Sequence, residues 1–311
     1  MNDNEKMMIE AHDIIQKVSV WHKAQEITVE PLAGLTNRNF LVHVDGAPFV
    51  LRVSGCNADN LGVRRDLEYE VLRAVSRARI GPEVVASHLP EGHLVTRYID
   101  GQHLSLEEYR KPENLKRILK MLSRLHELPA TNAVFSPFRR VEQYAVVAQS
   151  FGVPLPQDYD QLKKKMMAIK REQDQDPTPW YKFCHNDLFC VNVLDDGEIH
   201  FIDWEFAGMG DIYFDLATLT YAYDSSDTLS PELQKYLVKT YFGEVDSHKL
   251  SRLRGMNYML MFFTAMWGLV QQGLQDKKLV PQLDDFSFIE YSSATFESMR
   301  ELELNSRMEL G

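Results

Sequence analysis

Apolar and polar positions change their period several times along the first hundred residues. After an opening amphipathic helix, "EITVEPL" and "NFLVHV" are rich in β-branched and aromatic residues, and "DGAP" turns the chain into "FVLRV". This pattern predicts short strands joined by tight turns. Residues 60–79, "NLGVRRDLEYEVLRAVSRAR", switch to the helical period, with Leu67, Val71, Leu72 and Val75 on one face and "GP" at 81–82 as the stop. "EVVASH" and "HLVTRYI" then return to a strand pattern around "LPEGH". From Asp100-Gly101 onward helical spacing dominates. "PENLKRILKMLSRLHELP" carries apolar residues at 115, 118, 119, 122 and 125, and a polar helical stretch over 158–175 runs into "DPTP", which reads as an internal linker. "DDG" joins two short strands as a hairpin, and the remainder is helical. The pattern predicts an α+β chain of two lobes, with a small sheet lobe over 1–99, a hinge near residue 100, a helical lobe over 100–311 and a cleft between them.

Composition narrows the class. The chain has 311 residues, 44% hydrophobic and 25% charged, which is ordinary for a globular protein and long enough for two lobes. Its net charge of −11 offers no basic stripe, so no nucleic-acid partner is expected; a small cationic substrate suits the balance, although solubility alone explains it equally well. Cys56, Cys184 and Cys190 give neither a disulfide framework nor a metal spacing and suggest reduced, half-buried thiols in a cytoplasmic protein. "MNDNEKMMIE" lacks the apolar region of a signal peptide. "MLMFFTAMWGLV" (259–270) is too short to span a bilayer and reads as a buried helix, so no membrane insertion is expected.

The segment "FCHNDLFCVNVL" concentrates His185, Asn186, Asp187 and Asn192 between apolar flanks, where unpaired polar groups are costly. Asp203 ends the next strand, "IHFID". A carboxylate five residues before an amide, with a second carboxylate across a hairpin, fits phosphoryl transfer. One carboxylate orients and deprotonates an attacking hydroxyl, while the amide and the other carboxylate hold Mg²⁺ on nucleotide phosphates. A polar hairpin loop with incidental acids is the plain alternative. For Asp203 a buried salt bridge to an arginine is another. There is no G-x-x-x-x-G-K-[ST] and no H-E-x-x-H, which disfavours P-loop and zincin chemistry.

"HNDLFCVN", "IDWEFAG" and "DIYFDLATL" together resemble the choline/ethanolamine kinase family, within the aminoglycoside-phosphotransferase-like group of small-molecule kinases. "GLTNRNFLV", "FVLRV", "DLEYEVLRAVSRARIGPEV", "LVTRYIDG" and "LSRLHELP" extend the resemblance over nearly the whole chain. It implies a bilobal protein-kinase-like fold with an antiparallel-sheet N-lobe, and ATP and Mg²⁺ as cofactors. Asp187 would be the catalytic base, and Asn192 and Asp203 the metal ligands. Thr36 and Asn37 would lie in the phosphate-covering loop, although that loop could be an ordinary hairpin turn. Tyr98 would lie in the hinge. Arg52 would contact phosphate and pair with Glu68, with Glu70 as the competing partner and an exposed strand cation as the plain reading.

Asp215 would brace the catalytic loop or cap a helix. Glu205 would bind a substrate cation, support the metal, or simply be solvated. Trp267 would supply one wall of an ammonium pocket or belong to the core, where Phe262 and Phe263 are expected. The implied activity is ATP-dependent phosphorylation of a small cationic amino alcohol, choline or ethanolamine. An aminoglycoside, thiamine or sugar kinase, or a catalytically silent nucleotide-binding protein, are the rivals.

Overall fold

The computed structural model describes residues 3–32, 38–55, 57–88, 91–178, 180–221, 230–280 and 286–308. After helix α1 (Asp3–Ile15) come β1 (Ile27–Leu32), β2 (Arg38–Val44) and β3 (Ala47–Val53), then α2 (Ala58–Leu61), α3 (Arg65–Arg77), β4 (Val84–His88) and β5 (His93–Arg97). The five strands form one antiparallel sheet in the order β1-β2-β3-β5-β4. Asp45 and Gly46, both at positive φ, make the β2–β3 turn, and the Asp45 carboxylate accepts from the backbone N–H groups of Gln25 and Glu26. Side chains alternate across a strand. Phe49, Leu51 and Val53 of β3 therefore pack with Ala11, Ile14, Ile15 and Trp21 on one face, while Arg52 reaches α3 on the other.

The expected helix over 60–79 is two helices. Gly62 adopts a left-handed conformation (φ 69°) that caps α2, and buried Val63 separates it from α3. Within α3 the inward face is Glu68, Val71, Leu72 and Val75, so a carboxylate occupies part of an otherwise apolar stripe.

The chain continues through β6 (Gln102–His103), α4 (Leu106–Tyr109), α5 (Pro112–His126), α6 (Pro137–Ser150), α7 (Tyr159–Asp174), β7 (Tyr181–Cys184), β8 (Val193–Asp195), β9 (Ile199–Phe201) and β10 (Gly208–Asp211). Helices α8 (Ile212–Thr218), α9 (Pro231–Phe242), α10 (Ser247–Asp276) and α11 (Phe288–Met308) complete it. The predicted β8–β9 hairpin forms, and β6 adds an edge strand to it. Helix α10 is buried on nearly every side over 256–270, as an all-round apolar sequence requires. Among the described residues, no helix is long and apolar enough to cross a membrane.

The "DPTP" segment is not a free linker. Asp176 accepts from the Thr178 N–H (2.9 Å) and Trp180 Nε1 (2.7 Å), and pairs with Arg252 of α10 at 3.4 Å. Its turn-like composition reflects a polar corner pinned to a helix distant in sequence. Cys184 is fully buried rather than half-buried, and Cys190 is half-buried as expected; Cys56 lies outside the described residues. The larger apolar core runs without a break from α3 and Leu94 into the helical region.

Candidate active site

Strand β7 delivers the chain into a loop held by hydrogen bonds from several elements, with His185 Nδ1 and Asn186 Oδ1 left buried without a hydrogen-bond partner among the described residues. The His185 N–H donates to Asp215 Oδ2 (2.9 Å) and the Asn186 N–H to Asp215 Oδ1 (2.6 Å). Asp215 is fully buried inside α8, and it braces the loop. The helix is capped instead by Asp211, which accepts from the Tyr213 N–H. His126 Nε2 donates to Asp215 from the end of α5 at 3.0 Å, and the Tyr241 hydroxyl meets His126 Nδ1 from the other side. Asn186 takes a positive φ of 64° and donates its side-chain amide to the Phe206 carbonyl. Tyr109 holds the Leu188 carbonyl at 2.7 Å.

Two groups of the loop meet each other. Asn192 Nδ2 donates to Asp187 Oδ2 (3.0 Å) and to the Asp187 carbonyl (2.8 Å), so both expected loop residues are in contact. The Ile202 N–H donates to the Asn192 carbonyl, which ties the loop to the strand end that carries Asp203. Asp203 sits at φ 60°, a left-handed conformation uncommon for a non-glycine residue and frequent at functional turns. Burial, then the neighbouring charges of Asp203 and Glu205, push the Asp187 carboxyl well above the usual range. Burial and Glu205 push Asp203 up to about 7, against the opposing pull of Arg52 and Arg65. His185 is pushed down to about 4 by burial, with its ring against Trp204 and its Nε2 donating to the Ile202 carbonyl.

Arg52 of β3 forms a two-pronged ion pair with Glu68 of α3 (Nη2 to Oε2, 2.8 Å), and both side chains are buried. Glu70 is exposed on another face of α3, which removes it as the partner. Arg65, which the sequence pattern did not single out, donates to Glu68 (2.8 Å) and Glu205 (3.3 Å). Glu205 is therefore buried and paired, not solvated. Glu68 and Glu205 are held in ion pairs by Arg52 and Arg65, so the hard oxygen donors that fit a divalent cation here are the Asp203 carboxylate and the Asn192 amide oxygen, whose Nδ2 is turned to Asp187.

The remaining expected positions divide. Thr36 and Asn37 lie outside the described residues. Tyr98 follows β5, half-buried, with its N–H donating to the Pro48 carbonyl. Phe262 and Phe263 are core residues, and Thr264 is buried with its hydroxyl donating to the Met261 carbonyl. Trp267 is half-buried, edge-on to Phe288 (5.4 Å) and Tyr291 (6.4 Å) of α11, with Phe286 beside both. Tyr291 lies beside Tyr221, whose ring stands 6.3 Å from Phe189 of the loop that carries Asp187. A run of aromatic contacts thus leads from the loop to Trp267. Tyr221, Phe286, Phe288 and Tyr291 carried no local sequence signal beyond being aromatic.

A sheet with a buried strand arginine paired to a helix glutamate, above a loop–hairpin bearing Asp187, Asn192 and Asp203, defines a protein-kinase-like fold. The chain belongs to the phosphotransferase enzyme family (APH), whose model matches residues 28–252. It is 30% identical over 228 residues to Protein LicA of Haemophilus influenzae, covering 71% of this chain but only 65% of that protein. It is 25% identical over 307 residues to human ethanolamine kinase 2, covering 89% of this chain and 76% of the relative. The crystal structure of a choline/ethanolamine kinase family protein from Mesorhizobium loti superposes with a TM-score of 0.76 at 26% identity, over 95% of this chain and 94% of that one.

Proposed function

We propose that the protein is an ATP- and Mg²⁺-dependent kinase that phosphorylates the hydroxyl of a small amino alcohol, choline or ethanolamine. The observation that carries this reading is the opposition of Asp187, held by Asn192, to Asp203, with both carboxyls displaced upward beside the Arg52–Glu68 pair. In this scheme residues 1–99 bind the nucleotide, with Arg52, Thr36 and Asn37 at the phosphates and Tyr98 at the hinge; residues 100–311 supply the catalytic loop and the acceptor pocket. Asp187 accepts the proton of the acceptor hydroxyl as its oxygen attacks the γ-phosphoryl group in line. Asn192 and Asp203 would hold Mg²⁺. Asn192 Nδ2 is committed to Asp187, so its Oδ1 is the atom offered to the ion. The ion, when bound, offsets charge on the phosphoryl oxygens.

Acceptor recognition falls on aromatic faces. A quaternary ammonium has no hydrogen to donate, so π faces must bind it, and half-buried Trp267 stands in an aromatic cluster linked to the catalytic loop. Glu205, committed to Arg65, fits support of the metal side better than contact with an ammonium. The names of the relatives, ethanolamine kinase 2 and a choline/ethanolamine kinase family protein, support the same acceptor class.

The test is a steady-state comparison of acceptors with Mg²⁺–ATP, with product identified by mass. Phosphorylated choline or ethanolamine at a kcat/KM at least about tenfold above aminoglycosides, thiamine and sugars supports the assignment. A preference for one of those others moves the acceptor within the family. ATP binding with no transfer to any of them points to a silent nucleotide-binding protein.

A further inference from the structure

Arg65 is the first residue of α3, and its side chain is only 11% exposed. One nitrogen, Nη1, lies 2.8 Å from Glu68 Oε2 and 3.3 Å from Glu205 Oε2. Glu68 Oε2 also accepts from Arg52 Nη2 at 2.8 Å. The result is a buried chain of alternating charge, Arg52–Glu68–Arg65–Glu205, that passes from the sheet through α3 to the segment just beyond Asp203. The aliphatic stem of Arg65 is packed as well. It fills the space where a Cβ on Gly92 would fall, at 2.7 Å from its Cγ, in the turn between β4 and β5. A buried charge remains ionised at acceptable cost only where opposite charges hold it, and each member here has such a neighbour.

We propose that Arg65 is a positioning residue for phosphoryl transfer. It sets where the segment 203–205 lies relative to Arg52, and so fixes the metal-side carboxylate against the phosphate-side guanidinium. The proposal rests on the kinase reading above for its catalytic consequence, but not for the linkage itself. Without Arg65, the ion pair between Glu205 and α3 is lost while Glu205 and Asp203 still repel each other, and the two halves of the nucleotide–metal site lose this common reference. Because one nitrogen makes both contacts, a point charge at that position should largely suffice.

Two measurements test this. The first is a stability cycle on the unliganded protein, using urea unfolding of wild type, Arg65→Gln, Glu205→Gln and the double variant; it requires no activity. The proposal expects the double variant to be less destabilised than the sum of the singles, and strict additivity would overturn it. The second is calorimetry of Mn²⁺–ATP beside steady-state kinetics. Arg65→Gln should weaken Mn²⁺–ATP by about 10- to 100-fold, as losses of groups that orient metal ligands do, and should leave the acceptor KM within about twofold. Arg65→Lys should recover wild-type Mn²⁺–ATP affinity to within about fivefold, and it keeps the test open if the glutamine variant does not fold. Unchanged Mn²⁺–ATP affinity in Arg65→Gln, or equal losses for both substrates, overturns the positioning role even if the stability cycle shows coupling. An inactive wild type with a coupled cycle and weakened Mn²⁺–ATP in Arg65→Gln would count against the kinase reading while supporting the linkage.

Discussion

Asp203 and Asp215 follow similar apolar pairs, Phe201-Ile202 and Tyr213-Phe214, but Asp215 is fully buried and Asp203 half-buried, and their partners differ. Asp215 receives two backbone N–H groups and His126, so its charge is used to hold the catalytic loop. Asp203 faces Glu205 and Asp187, and its protonation is displaced up to about 7. A buried carboxylate with donors on every side is a structural member. One left among other carboxylates is, in the proposed reading, the group that a cation would relieve. Neither role follows from burial alone; the partners decide.

The comparison can be broken first by truncation. Asp215→Ala should cost about 3–5 kcal/mol in urea unfolding, because it orphans two backbone N–H groups and a histidine in the interior. Asp203→Asn should do the reverse, leaving stability unchanged or slightly raised while weakening Mg²⁺-dependent ATP binding more than about 100-fold by calorimetry. Equal destabilisation by the two variants would mean that Asp203 is a structural ion-pair member, as the salt-bridge alternative requires.

A pH experiment sharpens the same contrast. His185 titrates near 6.5 when unfolded and about 4 when folded, so between those values the unfolded chain binds more protons. Its contribution is fully present above pH 6.5 and is lost as pH falls toward 4, amounting to about 3 kcal/mol. Asp203 acts oppositely in the metal-free protein, because its raised pKa makes the folded state bind more protons and stability fall as pH rises from 3.8 to about 7. The two trends offset each other in wild type. Asp203→Asn should therefore expose the His185 slope, seen as a steeper loss below pH 6.5 than in wild type. An unchanged profile would remove Asp203 as a displaced acid.

The smallest expected effect concerns the acceptor. Trp267→Ala should lower acceptor kcat/KM about thirtyfold, the equivalent of a desolvated cation–π contact of about 2 kcal/mol, with ATP affinity unchanged. Choline should lose more than ethanolamine, whose primary ammonium can also hydrogen-bond. A large fall in Tm with an unchanged choline-to-ethanolamine ratio would assign Trp267 to the core.

What could be read from the sequence was what is local. Asp187, Asn192 and Asp203 lie on one loop and hairpin, so their spacing alone brings them together. Arg52 and Glu68 were legible only through the family resemblance of "FVLRV" and "DLEYEVLRAVSRARIGPEV", and they are paired in the structure. Arg65 was not, because its partner Glu205 is 140 positions away and "RRDLEYE" looks like an ordinary solvated helix start. The break at Gly62 was hidden because the flanking residues suit a helix, and Asp176 looked like linker because its partner Arg252 lies on α10. The aromatic surroundings of Trp267 combine α10, α11 and Tyr221, and only tertiary packing assembles them.

The central claim is that Asp187 takes a proton from an amino-alcohol hydroxyl during phosphoryl transfer, and single-turnover ³¹P NMR with Mg²⁺–ATP tests it most directly. Wild type mixed with choline or ethanolamine should convert the γ-phosphate signal into a phosphomonoester, while Asp187→Asn should slow that conversion about 10³-fold and still bind Mg²⁺–ATP with near wild-type affinity. Phosphomonoester formation by Asp187→Asn within tenfold of the wild-type rate would contradict the account.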